Sequence, residues 1–343
     1  MSEIKAIITG ISGFVLREAE KAFIAEYKPW AFILFARNIG SADDIKALTT
    51  SLREVSGRDD VFIFIDQEGG KVQRLLPPLV PHYPAAATLG KLYKKDQDKG
   101  IRAAWIMSRL HAFDLIKLGI NANCLPVLDI PVGGAHDVIG TRAYAKDVET
   151  VTALGSAAAK GLLDGGVLPV MKHIPGHGRA LCDTHFELAH VDAFLDILEK
   201  HDFMPFKNLA DLPAAMTGHI VYGAIDERFP ATLSKRVIEN VIRKKIGFDG
   251  LLISDDVSMK ALWNNAFSEN FSDLTRKIFA AGCDIVLHCN GHLEEMCAIA
   301  HTAPFLKGKA LERVHRASRR ILQEDSSDEV ALREEFSNLL TFI

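Results

Sequence analysis

The chain has no CxxC pair, and its five cysteines, Cys124, Cys182, Cys283, Cys289 and Cys297, are an odd number. A disulfide framework needs partners, so these read as reduced thiols of a cytosolic compartment, and no thiolate metal centre is expected. An apolar run long enough to cross a bilayer is also lacking, which excludes a helical membrane anchor. Met1-Ser2-Glu3-Ile4-Lys5-Ala6 leads straight into a short apolar segment without the pattern of a secretory signal, so a cytoplasmic location is expected. Nor is there an excess of either charge. Forty Lys and Arg face 44 Asp and Glu, a formal net charge of −4, too small and too evenly spread to mark a nucleic-acid or anionic-membrane partner. Repeats and low-complexity tracts are missing, and no second domain is expected.

What is present is core material and alternation. With 48% apolar and 24% charged residues, 343 residues can bury a large core. Eight short apolar runs bounded by turn residues read as strands: 6–11, 31–36, 61–65, 121–130, 167–172, 214–220, 250–255 and 284–289. Helical patterns lie between most of them, from Asp43 to Val55, Gly100 to Leu118, Val148 to Asp164, Leu195 to Asn208, Ser234 to Ile246 and Ser268 to Ala281. Strands that are apolar on both faces suit a parallel sheet covered on the outside, and eight βα units are what a (β/α)8 TIM barrel requires. The α/β fold expected is therefore this barrel, as a single domain over residues 1–323, with a doubly wound open sheet as the rival. Residues 324–343 change character: an acidic link, Glu324-Asp325-Ser326-Ser327-Asp328-Glu329, precedes an amphipathic stretch expected to pack back on the barrel as a helix.

The polar residues fall at the carboxyl ends of the expected strands: Asp66-Gln67-Glu68-Gly69-Gly70, Asp129, Lys172-His173, His219 and Ser254-Asp255-Asp256. In a barrel these ends form one rim, where catalytic groups gather. Burying charge at five strand ends for stability alone would be costly. Asp255 follows Leu251-Leu252-Ile253-Ser254, so a strand would fix its carboxylate as a nucleophile's must be fixed. Asp256 competes, but its ordinary task would be to cap a helix beginning near Ser258. The segment Lys172-His173-Ile174-Pro175-Gly176-His177-Gly178, followed by Asp183-Thr184-His185, gathers a lysine, three histidines and an aspartate on a loop that its glycines suggest is mobile. An imidazole can release and recover a proton near neutral pH, and Asp183 would fix the tautomer of His185. Lys172, His173, Asp66, Arg74 and Arg142 offer donors and acceptors suited to sugar hydroxyls. Arg74, read as lying on a helix after the Gly-Gly turn, would more ordinarily be solvated.

Asp66-Gln67-Glu68-Gly69-Gly70 with Val72-Gln73-Arg74, KHIPGHG (172–178), Asp183-Thr184-His185 and GLLISDDVSM (250–259), in this order, resemble glycoside hydrolase family 3. Within it they are most similar to the single-domain bacterial β-N-acetylglucosaminidases of peptidoglycan recycling. The resemblance implies a retaining exo-acting enzyme that removes terminal β-linked GlcNAc, from GlcNAc-1,6-anhydro-MurNAc muropeptides in cell-wall recycling, through a glycosyl ester on Asp255. It also implies that His185 with Asp183 is the acid/base pair, and that Asp66, Arg74, Arg142, Lys172 and His173 hold the sugar ring. The partner would be a small carbohydrate; no cofactor and no metal are expected, and the chain is expected to be a monomer, with a dimer as the alternative. The sequence departs from the family at Thr184, where serine is usual, at Ile174, where phenylalanine is, and at Thr217-Gly218, where Pro-Ala is. None removes a catalytic group. Three alternatives stay open: a phosphorylase or another β-glycosidase on the same residues, a metal-dependent amidohydrolase using His173, His177, His185 and His219, and a sugar-binding barrel without catalysis.

Overall fold

Short runs of Ile, Val, Leu, Phe and Ala form the strands because β-branched and aromatic side chains suit a pleated surface, and here both faces of that surface are buried. The computed structural model describes residues 3–265, 267–321 and 325–342. Its strands are β1 (Lys5–Gly10), β2 (Pro29–Leu34), β3 (Phe62–Ile65), β4 (Ala122–Asn123), β5 (Leu168–Ile174), β6 (Ala214–Thr217), β7 (Leu251–Asp256) and β8 (Ile285–His288). Each pairs in parallel with its successor, and β8 closes on β1 through Ile8 opposite Leu287, giving a closed eight-stranded barrel. All eight expected strands are present, but the fourth, expected over 121–130, is regular only at Ala122–Asn123, since Pro126 has no N–H for a ladder. The rival open sheet is excluded by that closure.

Side chains alternate across each strand. Ile8, Ile33, Phe62, Phe64, Leu168, Val170, Met216, Leu251, Ile253 and Leu287 fill the barrel, while Ile7, Phe32, Ile63, Met171, Ala215, Leu252 and Val286 meet the helices outside. Trp30 sits against Phe62 and Phe64, with ring centroids 5.3 and 5.7 Å apart.

The helices follow the expected spans with two differences. The stretch Leu195 to Asn208 is broken into Leu195–Lys200 and Met204–Asn208. Asp202, buried between them, receives the Arg179 guanidinium at 2.8 Å, and Pro205 fits the first turn of the second helix, where no N–H is needed. The helix in 234–246 starts at Lys235 and is of the wider π type over Val237–Lys245, with the Ser234 hydroxyl accepting from the Val237 amide at 3.1 Å. Helices Glu18–Tyr27, Ala86–Lys95, Leu293–Thr302 and Gly308–Arg319 go beyond the expected set.

The expected boundary at 323/324 lies outside the described residues, as does Ile343. The tail itself forms a helix, Glu329–Leu340, capped by the Asp328 carboxylate. Leu332, Phe336 and Leu339 are buried on its inner face. Beside them Arg333 donates to Asp114 at 2.5 Å, and Arg102 grips Glu335 with two bonds of 2.7 Å. Beneath this helix His111 is fully buried, edge-on to Tyr83 at 4.4 Å, and neither ring nitrogen has a protein partner among the described residues.

Burial, then the nearby Arg333 charge, pushes the His111 imidazole down to about 3. An unfolded histidine takes up its proton near pH 6.5. The folded value lies below the unfolded one, so the unfolded chain binds the proton first, and stability is lost as pH falls below about 6.5. Carboxylates held low by the fold, such as Asp129 at about 2, act with the same sign only below about pH 4. We therefore expect denaturant stability to fall between pH 7 and pH 5, by on the order of 2 kcal/mol for His111 alone. His111→Leu should remove that part of the slope; an unchanged slope in the variant would contradict this account.

Candidate active site

The alternation that fills the barrel also aims its upper residues. Phe62 and Phe64 point inward, so Asp66 does too; Leu168 and Val170 are followed in phase by Lys172, and Leu251 and Ile253 by Asp255. These side chains meet in a cavity of about 180 Å³ at the carboxyl end of the barrel, lined also by Arg74, Arg142, His173, His177 and His185 over an apolar floor that includes Ile33, Met216 and Leu287. Seven of the eight candidate site residues therefore line one cavity, and the eighth, Asp183, holds His185.

A network of buried charge forms one wall. Lys172 donates to Asp66 at 2.8 Å and lies 2.7 Å from Glu68, and Arg142 grips Glu68 with bonds of 2.8 and 2.9 Å. Burial alone would raise the Asp66 carboxyl, but the charges of Lys172 and Arg74 hold it well below the usual carboxylate range. Burial likewise opposes the Lys172 charge, and Asp66 and Glu68 outweigh it, so the ammonium stays protonated. Glu68 was not singled out from the sequence as a binding residue, yet it holds two that were. Arg74 is not on a helix: Gln67–Gly69 and Val72–Gln73 pair as a tight antiparallel ribbon, and Arg74, just past it, reaches Asp66 at 3.2 Å and lies over Phe35. It is a half-buried wall residue rather than a solvated one.

Beside this wall β5 slips register between Lys172 and Ile174, where the Lys172–His173 peptide is cis, and His173 also reaches the cavity. Asp129, buried at the end of the fourth strand region, accepts from His173 Nδ1 at 2.7 Å and from the backbone amides of His173 and His177 at 3.1 and 2.7 Å. His173 is thereby locked through Nδ1. His177 packs edge-on to His173 and meets the Thr184 hydroxyl at 3.1 Å; burial, then His173, pushes it down to about 4, so it is a neutral support.

Asp255 and Asp256 separate clearly. Asp256 accepts from the Ser258 amide and hydroxyl and from the Cys289 amide, at 3.0, 2.7 and 3.0 Å. It ties a turn to the next strand rather than capping a helix at Ser258, since the helix begins at Lys260. Asp255 accepts from the Asp256 amide at 2.8 Å. Burial would raise its carboxyl, but His219, His173 and that amide outweigh it, so Asp255 is held below its ordinary value and is ionised. His219 is fixed by Thr232 and the Asp256 carbonyl, at 2.8 and 2.9 Å.

His185 sits on the rim, its side chain 60% exposed, with Nδ1 held by Asp183 at 2.6 Å. The Asp183 carboxylate also accepts the His185 amide at 2.9 Å, and despite partial burial these bonds keep it below its ordinary range. The glycines of this loop serve close packing: a Cβ at Gly178 would stand 1.9 Å from the Ile130 carbonyl oxygen, and Gly176 has φ +141°. Among the described residues, no three His, Cys, Asp or Glu side chains gather as a set of metal ligands.

A carboxylate under a cavity, an imidazole with one free nitrogen above it, and a wall of fixed charges can bind a polyhydroxylated ring and carry out acid–base chemistry at it. The chain is similar to known proteins in sequence and in fold. A β-hexosaminidase from Chromobacterium violaceum is 34% identical over 321 residues, 93% of this chain and 88% of its own. One from Hydrogenovibrio crunogenus is 36% identical over 83% of this chain and 78% of its own. The crystal structure of native NagZ from Neisseria gonorrhoeae superposes with a TM-score of 0.83 at 30% identity, covering 98% of this chain and 96% of that one. A family 3 β-N-acetylglucosaminidase from Paenibacillus sp. str. FPU-7 gives 0.85 at 26% identity, over 97% and 67%. The glycosyl hydrolase family 3 N terminal domain matches residues 4–323, and the chain belongs to glycosyl hydrolase family 3.

Proposed function

We propose that this protein is a retaining exo-β-N-acetylglucosaminidase. The observation that carries the reading is that the Asp255 carboxylate and the Asp183-held imidazole of His185 share one cavity with Lys172, Asp66 and His173. In the first step Asp255 attacks the anomeric carbon while protonated His185 gives its Nε2 proton to the departing oxygen. The sugar is left as an ester on Asp255. In the second step neutral His185 takes a proton from water as that water attacks the same carbon, and the ester bond breaks. Two displacements restore the β-configuration. Asp66, Lys172, His173, Arg74 and Arg142 hold the ring hydroxyls, and because Lys172 and Arg74 are already locked to Asp66, Arg142 to Glu68 and His173 to Asp129, little ordering is left to pay at binding.

The names of the relatives support N-acetylglucosaminides as substrates. A GlcNAc–anhydro-muropeptide from cell-wall recycling, met in the cytoplasm, is the leaving-group side of this proposal and rests on the resemblance in the motifs. Proton NMR during hydrolysis of an aryl β-N-acetylglucosaminide should show the β-anomer first, and repeating it in phosphate buffer should give free sugar rather than the sugar 1-phosphate. An initial α-anomer would refute retention, and a 1-phosphate would make the enzyme a phosphorylase.

His185→Ala should lower kcat/KM by about 10²–10⁴-fold for a sugar leaving group, the usual worth of a positioned acid. With a strongly activated aryl leaving group, which needs little protonation, the loss should be far smaller. Equal losses on both would count against His185 as the acid.

A further inference from the structure

The bonds within the segment that carries His185 fix the acid/base pair internally: Asp183 to His185, and the Phe186 and Glu187 amides to the Asp183 carbonyl at 2.9 and 3.0 Å. They do not fix where the pair stands above Asp255. On its inner side the segment is held by Thr184 against His177. On its outer side it meets the chain that follows Asp255. The Lys260 amide donates to the His185 carbonyl at 3.3 Å, the Asn264 side-chain amide donates to the Phe186 carbonyl at 3.0 Å, and the Lys260 ammonium lies 5.7 Å from the centre of the Phe186 ring. Lys260 opens the short helix Lys260–Trp263, Asn264 closes it, and Met259 just before it lines the cavity. The same stretch is tied to the barrel through the Val257 amide on the Leu287 carbonyl at 3.0 Å and through the Asp256 contacts.

We propose that Asn264 is a positioning residue for the acid/base: with Lys260 it latches the His185 segment to the short helix that follows Asp255, so that both reacting groups are placed from one frame. The inference rests on the reading of His185 as the proton donor. Retaining glycosidases hold their two groups at a narrow separation, and a misplacement of about 1 Å can cost on the order of 10²-fold. A loop held at its outer edge by few exposed bonds loses part of its closed population when one is removed. Asn264 supplies the only side-chain hydrogen bond to that edge among the described residues.

The test compares Asn264→Ala with wild type in kcat/KM over a series of aryl β-N-acetylglucosaminides of rising leaving-group pKa, and repeats the substitution in a His185→Ala background. One exposed hydrogen bond supports a loss of about three- to tenfold with the poorest leaving group, shrinking toward none with the best. In the His185→Ala background Asn264→Ala should cost nothing further, and the thermal midpoint should be unchanged. Asn265→Ala is the control, because among the described residues its side chain bonds the Ala261 carbonyl of the short helix and not the His185 segment. A loss equal across the series, or the same loss without His185, would overturn the latch and leave the acid/base reading standing. If His185→Ala itself shows no dependence on the leaving group, both fall.

Discussion

Asp255→Ala is expected to lower turnover of an aryl β-N-acetylglucosaminide by about 10⁴-fold or more, the scale on which removal of an attacking group acts in enzymes that form a covalent intermediate. Folding should be unaffected. Asp255 accepts one backbone bond, from its neighbour, and its own amide, which meets Thr217 at 3.3 Å, is retained in the variant. Azide offers a sharper form of the same prediction. A small anion can enter the space vacated by the carboxylate and attack the same face of the sugar, so one displacement takes the place of two. The product should be the α-glycosyl azide, with the rate restored in proportion to azide. A variant active without azide, or giving a β-azide, would place the nucleophile elsewhere.

Glu68 is the site of the second large effect. It stands buried between two cations, and Glu68→Ala would leave Arg142 without its two strong bonds while Lys172 keeps only Asp66. Breaking a buried ion pair by removing one partner costs about 3–5 kcal/mol, because the remaining charge has lost its water and gained nothing. We expect a loss of that size in denaturant stability, together with a raised KM, since both cations are proposed to hold the sugar. Glu68→Gln, which keeps shape and one acceptor, should recover part of the stability and little of the affinity. If both variants unfold like wild type, the network is not the wall described above.

The strands were legible in the sequence because each is apolar on both faces and ends in polar residues, a pattern that survives without any knowledge of neighbours. The inward placement of Asp255 was legible for a related reason: counted in twos from Leu251 and Ile253 it faces the barrel interior, and the same count from Phe62 and from Leu168 finds Asp66 and Lys172, whereas Asp256 reaches the cavity out of phase, where the strand slips register. Glu68 was harder. Its importance lies in partners brought from distant parts of the chain, Lys172 on β5 and Arg142 in the 3-10 turn Gly140–Arg142, and such long-range pairing leaves no local trace. Asp129 is alike in this, since its three bonds to the His173–His177 stretch appear only when adjacent strands are side by side. The placement of Arg74 failed through local ambiguity: Gly69 and Gly70, at φ +102° and +58°, turn a ribbon rather than open a helix. Likewise, the break in 195–208 is set by Asp202 binding Arg179, a tertiary contact that overrides a continuous helical pattern.

The central claim is a covalent bond between Asp255 and the sugar, and trapping that bond tests it most directly. The protein is incubated with a fluorinated N-acetylglucosamine analogue that carries a good leaving group and whose ester hydrolyses slowly. Intact-mass spectrometry should then show a single added glycosyl unit, and fragmentation of the proteolysed protein should place it on Asp255. Turnover of the analogue without any adduct, or an adduct on another residue, would contradict the account.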